Sequence, residues 1–334
     1  MRIAVDAMGG DHAPAEIVQG ALDALQLLGD DDRIVLIGTD AALEAHLPRD
    51  ESVRQRIELH PVTQVIEMDE TPLDALKQKK DSSIVVMSKL AGKRQVDAVV
   101  SAGNTGALAA ACQLKMRTLG SVQRPGIAVV LPSFYGPLTI CDVGANVAPR
   151  PQHLYQYAHM ATTYAEQILN INNPRVGLLS IGGEAVKGNM LVKQARELIR
   201  LDNRLNFVGN VEGRDLFRGK CEVVVTDGFV GNVVLKLSEG LSEGLFDTIE
   251  REIAAEDPEL GLRFKPVVKA IWARHDYSEF GGAPLLGVDG VCIICHGSSR
   301  RRAIRNAIRV ARDSVNSKLN SIILNRLAEQ AVDA

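Results

Sequence analysis

The sequence predicts an α/β fold in three layers, with helices on both faces of a mostly parallel sheet, and three observations predict it. Short runs rich in Val, Ile and Leu, bounded by Gly, Asp or Asn, alternate with longer stretches of helical periodicity. Several of these runs are apolar from end to end, as strands covered on both faces are. Glycine-rich turns follow them where a strand hands over to a helix. Together these features describe a Rossmann-like architecture, and 334 residues with 46% hydrophobic content supply ample core for it. The chain reads as a single unit over residues 1–334, with 256–282 an excursion from the core for dimer or membrane contact.

The first strand is Arg2–Asp6, and a helix over 14–28 carries the chain to a second strand at Arg33–Gly38. Further strands are expected at 96–101, 126–131, 138–143, 175–181, Asn206–Val211, 222–227 and 291–296. Right-handed crossovers would then gather the loops after the strands at one sheet edge, where open α/β sheets bind ligands. The last helix spans 299–329, with Ser298 and Ser299 as N-caps and Ile304, Ile308, Ala311, Val315 and Leu319 on its buried face.

Composition excludes several classes. A net charge of -3, from 38 basic and 41 acidic side chains, leaves no electrostatic footprint for nucleic acid. Asp6 interrupts what would be the apolar core of a leader peptide, which points to the cytoplasm. The longest uncharged stretch, 98–114, contains Asn104, Thr105 and glycines, and reads as strand, loop and helix start rather than a membrane span. Five cysteines, odd in number and set in apolar runs, suit reduced core thiols.

The chemistry lies in Gly-rich turns beginning at Asp6, Ser101, Asp142 and Thr226. Glycine lets backbone approach a ligand, and a turn that opens a helix aims unpaired N–H groups and the positive dipole end at it. A single such turn is as readily explained by tight geometry alone. Recurring at one edge with Asn, Asp or Thr beside the glycine, they describe a cleft for an anion. Its candidate ligands are Gly9, Gly10, Asp11, His12, Asn104, Thr105, Asn146 and Asp227. Arg124 would help neutralise phosphate, although an Arg-Pro-Gly bend also suits strand entry, and His296 would reach the ligand or bond near a helix start.

No turn has the Gly-Lys-Ser/Thr of a nucleotide phosphate loop or a clean G-x-G-x-x-G, and no G-x-S-x-G raises a serine nucleophile. No cofactor is called for. The acids are scattered singly, so no metal is expected either. If acyl transfer occurs here, phosphate, already anionic, can be the attacking group. A thiolate then leaves readily, and the protein has to position the reactants and stabilise an oxyanion. Lys187, between Gly182-Gly183 and Gly188-Asn189, and Asn232, after Gly231, are the candidate catalytic donors. Their plainer readings are a solvated lysine and a capping asparagine.

These segments resemble the phosphate acyltransferases of bacterial phospholipid synthesis, often called PlsX proteins. The shared stretches are DAMGGDHAP from Asp6, SAGNTGA from Ser101, RPGIA from Arg124, DVGAN from Asp142, KGN from Lys187, GNVEG from Gly209 and TDGFVGNV from Thr226, then GGAPLLGVDG and HGSS between Gly281 and Ser299. The resemblance runs nearly end to end. It implies a fold similar to phosphotransacetylases and isocitrate-dehydrogenase-like enzymes, and a homodimer that uses acyl carrier protein and inorganic phosphate. It places Lys187 and Asn232 at catalytic positions. Transient contact with the inner face of the membrane, and with the downstream glycerol-3-phosphate acyltransferase, is a further expectation.

Other features carry competing readings. Cys292-x-x-Cys295-His296 spells a haem or metal motif, but in a strand residues three apart face opposite ways, so a core strand is expected. Arg300, Arg301, Arg302, Arg305, Arg309 and Arg312 would make a basic face for acidic carrier protein, or an ordinary ion-paired helix. Leu260 to Trp272 mixes Arg263, Lys265 and Lys269 with Leu262, Phe264 and Val267, which suits anionic lipid or a dimer interface, although Pro266 is expected to interrupt a helix there. The rival functions are a phosphotransacetylase acting on short acyl-CoA, a metal-dependent decarboxylating dehydrogenase, for which clustered acids are missing, and a non-catalytic lipid-synthesis scaffold.

Overall fold

The computed structural model describes residues 1–275 and 277–329; the side chains at 269, 272–275 and 277–278 lie outside the described residues, and with them the expectation for Trp272. Strand β1 (Arg2–Asp6) leads through α1 (Ala15–Ala24) to β2 (Arg33–Gly38), and α2 (Asp40–His46) and α3 (Glu51–Arg54) lead to β3 (Ile57–Pro61). Helices α4 (Pro72–Gln78) and α5 (Ser83–Gly92) precede β4 (Ala98–Ser101), and α6 (Thr105–Met116) follows it. The second half opens with a hairpin of β5 (Gly126–Ser133) and β6 (Gly136–Cys141) and continues with α7 (Pro151–Gln167), β7 (Arg175–Leu179), α8 (Met190–Arg200), β8 (Asn206–Val211) and β9 (Val223–Val225). Helices α9 (Gly228–Glu256) and α10 (Pro258–His275) pair with each other before β10 (Ala283–Leu286) and β11 (Val291–Ile294) return to the sheet. Helices α11 (Arg301–Asn316) and α12 (Leu319–Ala328) follow.

The strands form one sheet in the order β3-β2-β1-β4-β11-β10-β5-β6-β9-β7-β8. Neighbours from β3 to β11 are parallel, and so are those from β6 to β8. Between these sets β10 is antiparallel to both β11 and β5, and β5 to β6. These reversals invert the second parallel set relative to the first. The expectation of a single ligand edge is therefore corrected: the loops after β1, β4 and β11 leave one end of the sheet, and those after β6, β7 and β9 leave the other. Local patterning does not carry this, because the inversion depends on pairing between β5 and a strand from the far end of the chain.

Side chains of the strands divide between two cores, as a period of two requires. Ile3, Val5, Ile34 and Leu36 pack with residues of α1, α7, α11 and α12, while Ala4, Val35, Ile37 and Val99 pack with those of α5 and α6. Each such Ile or Leu, fully buried, contributes about 2 kcal/mol. Cys292 and Cys295 fall in different cores, so the core-strand reading of that motif holds.

Two expectations about helices are corrected. The last helix breaks at Lys318, whose φ of 55° is left-handed, and α12 restarts beyond it. Helix α10 runs through Pro266 without stopping, laid along α9 with Gly261 at the close approach, where a Cβ would stand 2.9 Å from Ala254 Cα.

Candidate active site

Asp142, just after β6, is fully buried, and its carboxylate is the hub of the loop that follows. It accepts the amides of Ile127 at 3.1 Å, Gly144 at 3.1 Å, Ala145 at 3.0 Å and Asn146 at 2.7 Å. Burial pushes this carboxyl above its ordinary value, against the pull of those bonds. The loop is thus wound on an internal anion, and its backbone amides face Asp142 rather than a ligand. Asn146 is similarly committed, its side-chain amide donating to Pro125 O at 2.7 Å and Tyr157 Oη at 2.8 Å.

Helix α9 is seated on that loop. The Gly228 amide donates to Asn146 O at 2.8 Å, and a Cβ at Gly231 would lie 1.9 Å from the Asp142 carbonyl oxygen, so only glycine permits this approach. Asp227 caps the helix by accepting the Val230 amide at 2.9 Å. The amide of Phe229 and the exposed side chain of Asn232 make no hydrogen bond among the described residues. Asn104 caps α6 in the same way, accepting from the Ala107 amide at 3.0 Å, while its own NH2 is directed at the carbonyls of Glu67, Met68 and Glu70. Asn104 is therefore a brace for the 67–70 loop, and what α6 offers a ligand are the unspent amides of Thr105 and Gly106.

These two helix starts open on one depression of about 420 Å³. Thr105, Gly106, Arg124, Asn146, Phe229 and Asn232 line it, so the two halves of the sheet meet there despite their opposite senses. Two positive helix ends and an exposed guanidinium with no ion pair among the described residues make it a place for an anion.

The remaining predicted residues lie elsewhere. Gly9 and Gly10 pack the first loop onto its neighbours: a Cβ would come within 2.5 Å of Gly103 N at the former and 2.9 Å of Gly297 O at the latter. Beneath them buried Asp6, raised from its usual value by burial, accepts from Ser101 Oγ at 2.7 Å and the Met8 amide at 3.1 Å. Asp11 donates its amide to Gly297 O at 2.8 Å, and His12 accepts the Glu16 amide on its carbonyl at 3.2 Å. His296 faces Lys236 of α9, Nε2 to Nζ 2.9 Å, and its Nδ1 is 2.7 Å from Ser298 Oγ. The Ser298 amide also donates to Nδ1, at 3.3 Å. Lys236 was not predicted; its one signal is its position a turn beyond Asn232 on α9.

Lys187 is exposed on the loop after β7 and does not line the depression. Its stem packs at Gly182, and α8 begins three residues later, capped by Asn189 accepting from the Val192 amide at 2.9 Å. Since β7 is the parallel neighbour of β9, Lys187 and Asn232 leave the same end of the sheet. The arginines of α11 are largely neutralised: Arg301 pairs with Asp23, Arg302 with Glu279, and Arg309 and Arg312 with Asp313, which matches the ion-paired reading.

Residues 1–322 match the model of a family described as fatty acid synthesis protein. The chain is 51% identical over 320 residues to the phosphate acyltransferase of Desulfitobacterium hafniense, covering 95% of each chain. It is 49% identical over 318 residues to that of Heliobacterium modesticaldum, covering 94% of each. Among solved structures it resembles a phosphotransacetylase from Streptococcus pyogenes, with a TM-score of 0.65 at 16% identity over 95% of this chain and 94% of that one. A 4-hydroxythreonine-4-phosphate dehydrogenase from Klebsiella pneumoniae, with a TM-score of 0.52 at 15% identity over 94% and 99% of the two chains, shares the fold as well.

Proposed function

This chain belongs to the fatty acid synthesis protein family, and we propose that it transfers a long-chain fatty acyl group from an acyl carrier protein thioester to inorganic phosphate, giving acyl phosphate for phospholipid synthesis. The curated relatives are phosphate acyltransferases, so acyl transfer is its class of reaction. One observation supports the choice of phosphate as acceptor: the starts of α6 and α9 open on one depression, with unspent amides at Thr105, Gly106 and Phe229 beside Arg124.

Phosphate held there attacks the thioester carbonyl. Asn232, whose amide is uncommitted, and Lys187 from the neighbouring loop donate to the oxyanion as it forms, and the thiolate departs on collapse. Helix dipoles and Arg124 hold the phosphate dianion without quenching it, since backbone amides donate hydrogen bonds without giving up their protons.

The purified chain, given palmitoyl carrier protein and phosphate, is expected to release one thiol for each acyl phosphate formed. Lys187→Ala should lower kcat on the order of a hundredfold with an unchanged melting temperature, because the residue is exposed. Binding without thiol release would favour a scaffold, and turnover with acetyl-CoA alone a short-chain phosphotransacetylase.

An apolar face also supports a peripheral partner. Val233, Leu237, Leu241 and Leu245 recur every fourth residue on α9, and Leu262, Phe264 and Val267 stand exposed on α10 beside Arg263 and Lys265. This hairpin contacts anionic membrane or a second subunit. Co-sedimentation with vesicles rich in anionic lipid should fall in the double variant Leu262→Ser, Phe264→Ser; binding equal to the parent chain rules out lipid contact there.

A further inference from the structure

We propose that the acyl chain of the substrate lies in a groove along α6, and that Ala110 and Leu114 set the length it accepts; this rests on the acyl-transfer reading above. A second depression of about 540 Å³ is lined by Leu73, Ala110, Gln113, Leu114, Arg117 and Gln123. It shares Ala110 and Gln113 with the anion-binding depression, so the two form one continuous furrow. Positions 106, 110, 113, 114 and 117 recur at helical spacing and describe one face of α6. From Gly106 to Arg117 that face runs about 16 Å at 1.5 Å per residue, which suits an extended hydrocarbon chain rather than a two-carbon group.

Its apolar side chains offer a hydrocarbon chain a path, edged by the polar Gln113, Arg117, Thr118 and Gln123. Leu73 is 58% exposed and Leu114 66% exposed, and a saturated chain laid between them removes both from water. Small side chains at Ala109 and Ala110 leave the width such a chain needs. Gly106 brings the far wall close: a Cβ there would be 2.7 Å from Pro72 Cγ, so glycine lets α4 set Leu73 against α6. With the thioester carbonyl beside Asn232, the first carbons pass Ala109 and Ala110 and the tail reaches Leu73 and Leu114.

The test compares palmitoyl and butyryl thioesters on the same carrier protein, with thiol release as readout. Ala110→Phe plugs the point the depressions share. Leu114→Glu places a charge at the far end on an exposed residue whose change the fold tolerates. In both variants the ratio of kcat/KM for palmitoyl over butyryl is expected to fall on the order of tenfold or more. An unchanged ratio in Leu114→Glu overturns the proposal. Equal losses for the two thioesters also overturn it, assigning the groove to the carrier's arm. A parent chain that turns over neither thioester instead overturns the acyl-transfer reading, so the two failures are distinct.

Discussion

Replacing Gly231 with alanine places a methyl carbon 1.9 Å from the carbonyl oxygen of Asp142, where ordinary contact begins at 3.4 Å. Neither partner yields easily, since Asp142 is tied by its carboxylate to the amides of the following loop and Gly231 lies in the first turns of α9. The start of α9 must therefore retreat by about 1.5 Å, carrying Phe229 and Asn232 with it. Overpacking of this kind costs about 1–3 kcal/mol, and a 1 Å misplacement of positioning groups costs about a hundredfold in rate. Gly240 of the same helix supplies the contrast, because a Cβ there meets nothing within 4 Å. Gly240→Ala is expected to stabilise by about 0.5–1 kcal/mol through helix propensity and to leave kcat alone. Steady-state thiol release and thermal melts on both variants are the assay. A Gly231→Ala enzyme with kcat within about threefold of the parent would refute the claim that this contact sets the site.

Asn232→Ala removes an exposed amide with no partner among the described residues. Stability should not change, while kcat falls by about ten- to a hundredfold; a melting point that drops with the rate would assign Asn232 a structural role. His159, fully buried with Nε2 3.0 Å from Asp202 Oδ2, is pushed by burial down to about 4. The folded chain then keeps this ring neutral while the unfolded chain protonates it, so its contribution is intact above about pH 6.5 and is lost as pH falls toward 4, by about 2–3 kcal/mol. Burial works against the Asp202 carboxylate, but bonds from Arg204 and Tyr155 hold it below its usual range, so it stays ionised through that window. Urea midpoints at pH 7 and 4.5 should converge in His159→Gln; an unchanged gap would place the acid sensitivity elsewhere.

Much of the fold was legible because both-face burial writes continuous apolar runs: β1, β2 and β8 fall at the residues expected. Strand β3 escaped notice because Ile57-Glu58-Leu59-His60-Pro61 alternates and ends on proline, as a sheet-edge strand does. Strand β10 is short and follows paired glycines, and it is not among the strands expected from the sequence. At the site, the turns were found but the direction of their amides was not. Asp142 reads as one more polar residue beside a glycine, and only the folded loop places its carboxylate under the amides of Gly144, Ala145 and Asn146. The predicted Thr105, Arg124, Asn146 and Asn232 do converge. Asn104 serves instead as a brace, since three carbonyls from the 67–70 loop surround its amide.

The middle of the sheet is made last. Strands β10 and β11 come from residues 283–294, yet they sit between β4 and β5. While the ribosome is still adding those residues, β4 and β5 each present a naked edge to everything in the cell, an invitation to mispair. A nascent chain of this protein can assemble its two parallel sets but cannot join them, and translation halted after residue 282 leaves halves that stick to other chains.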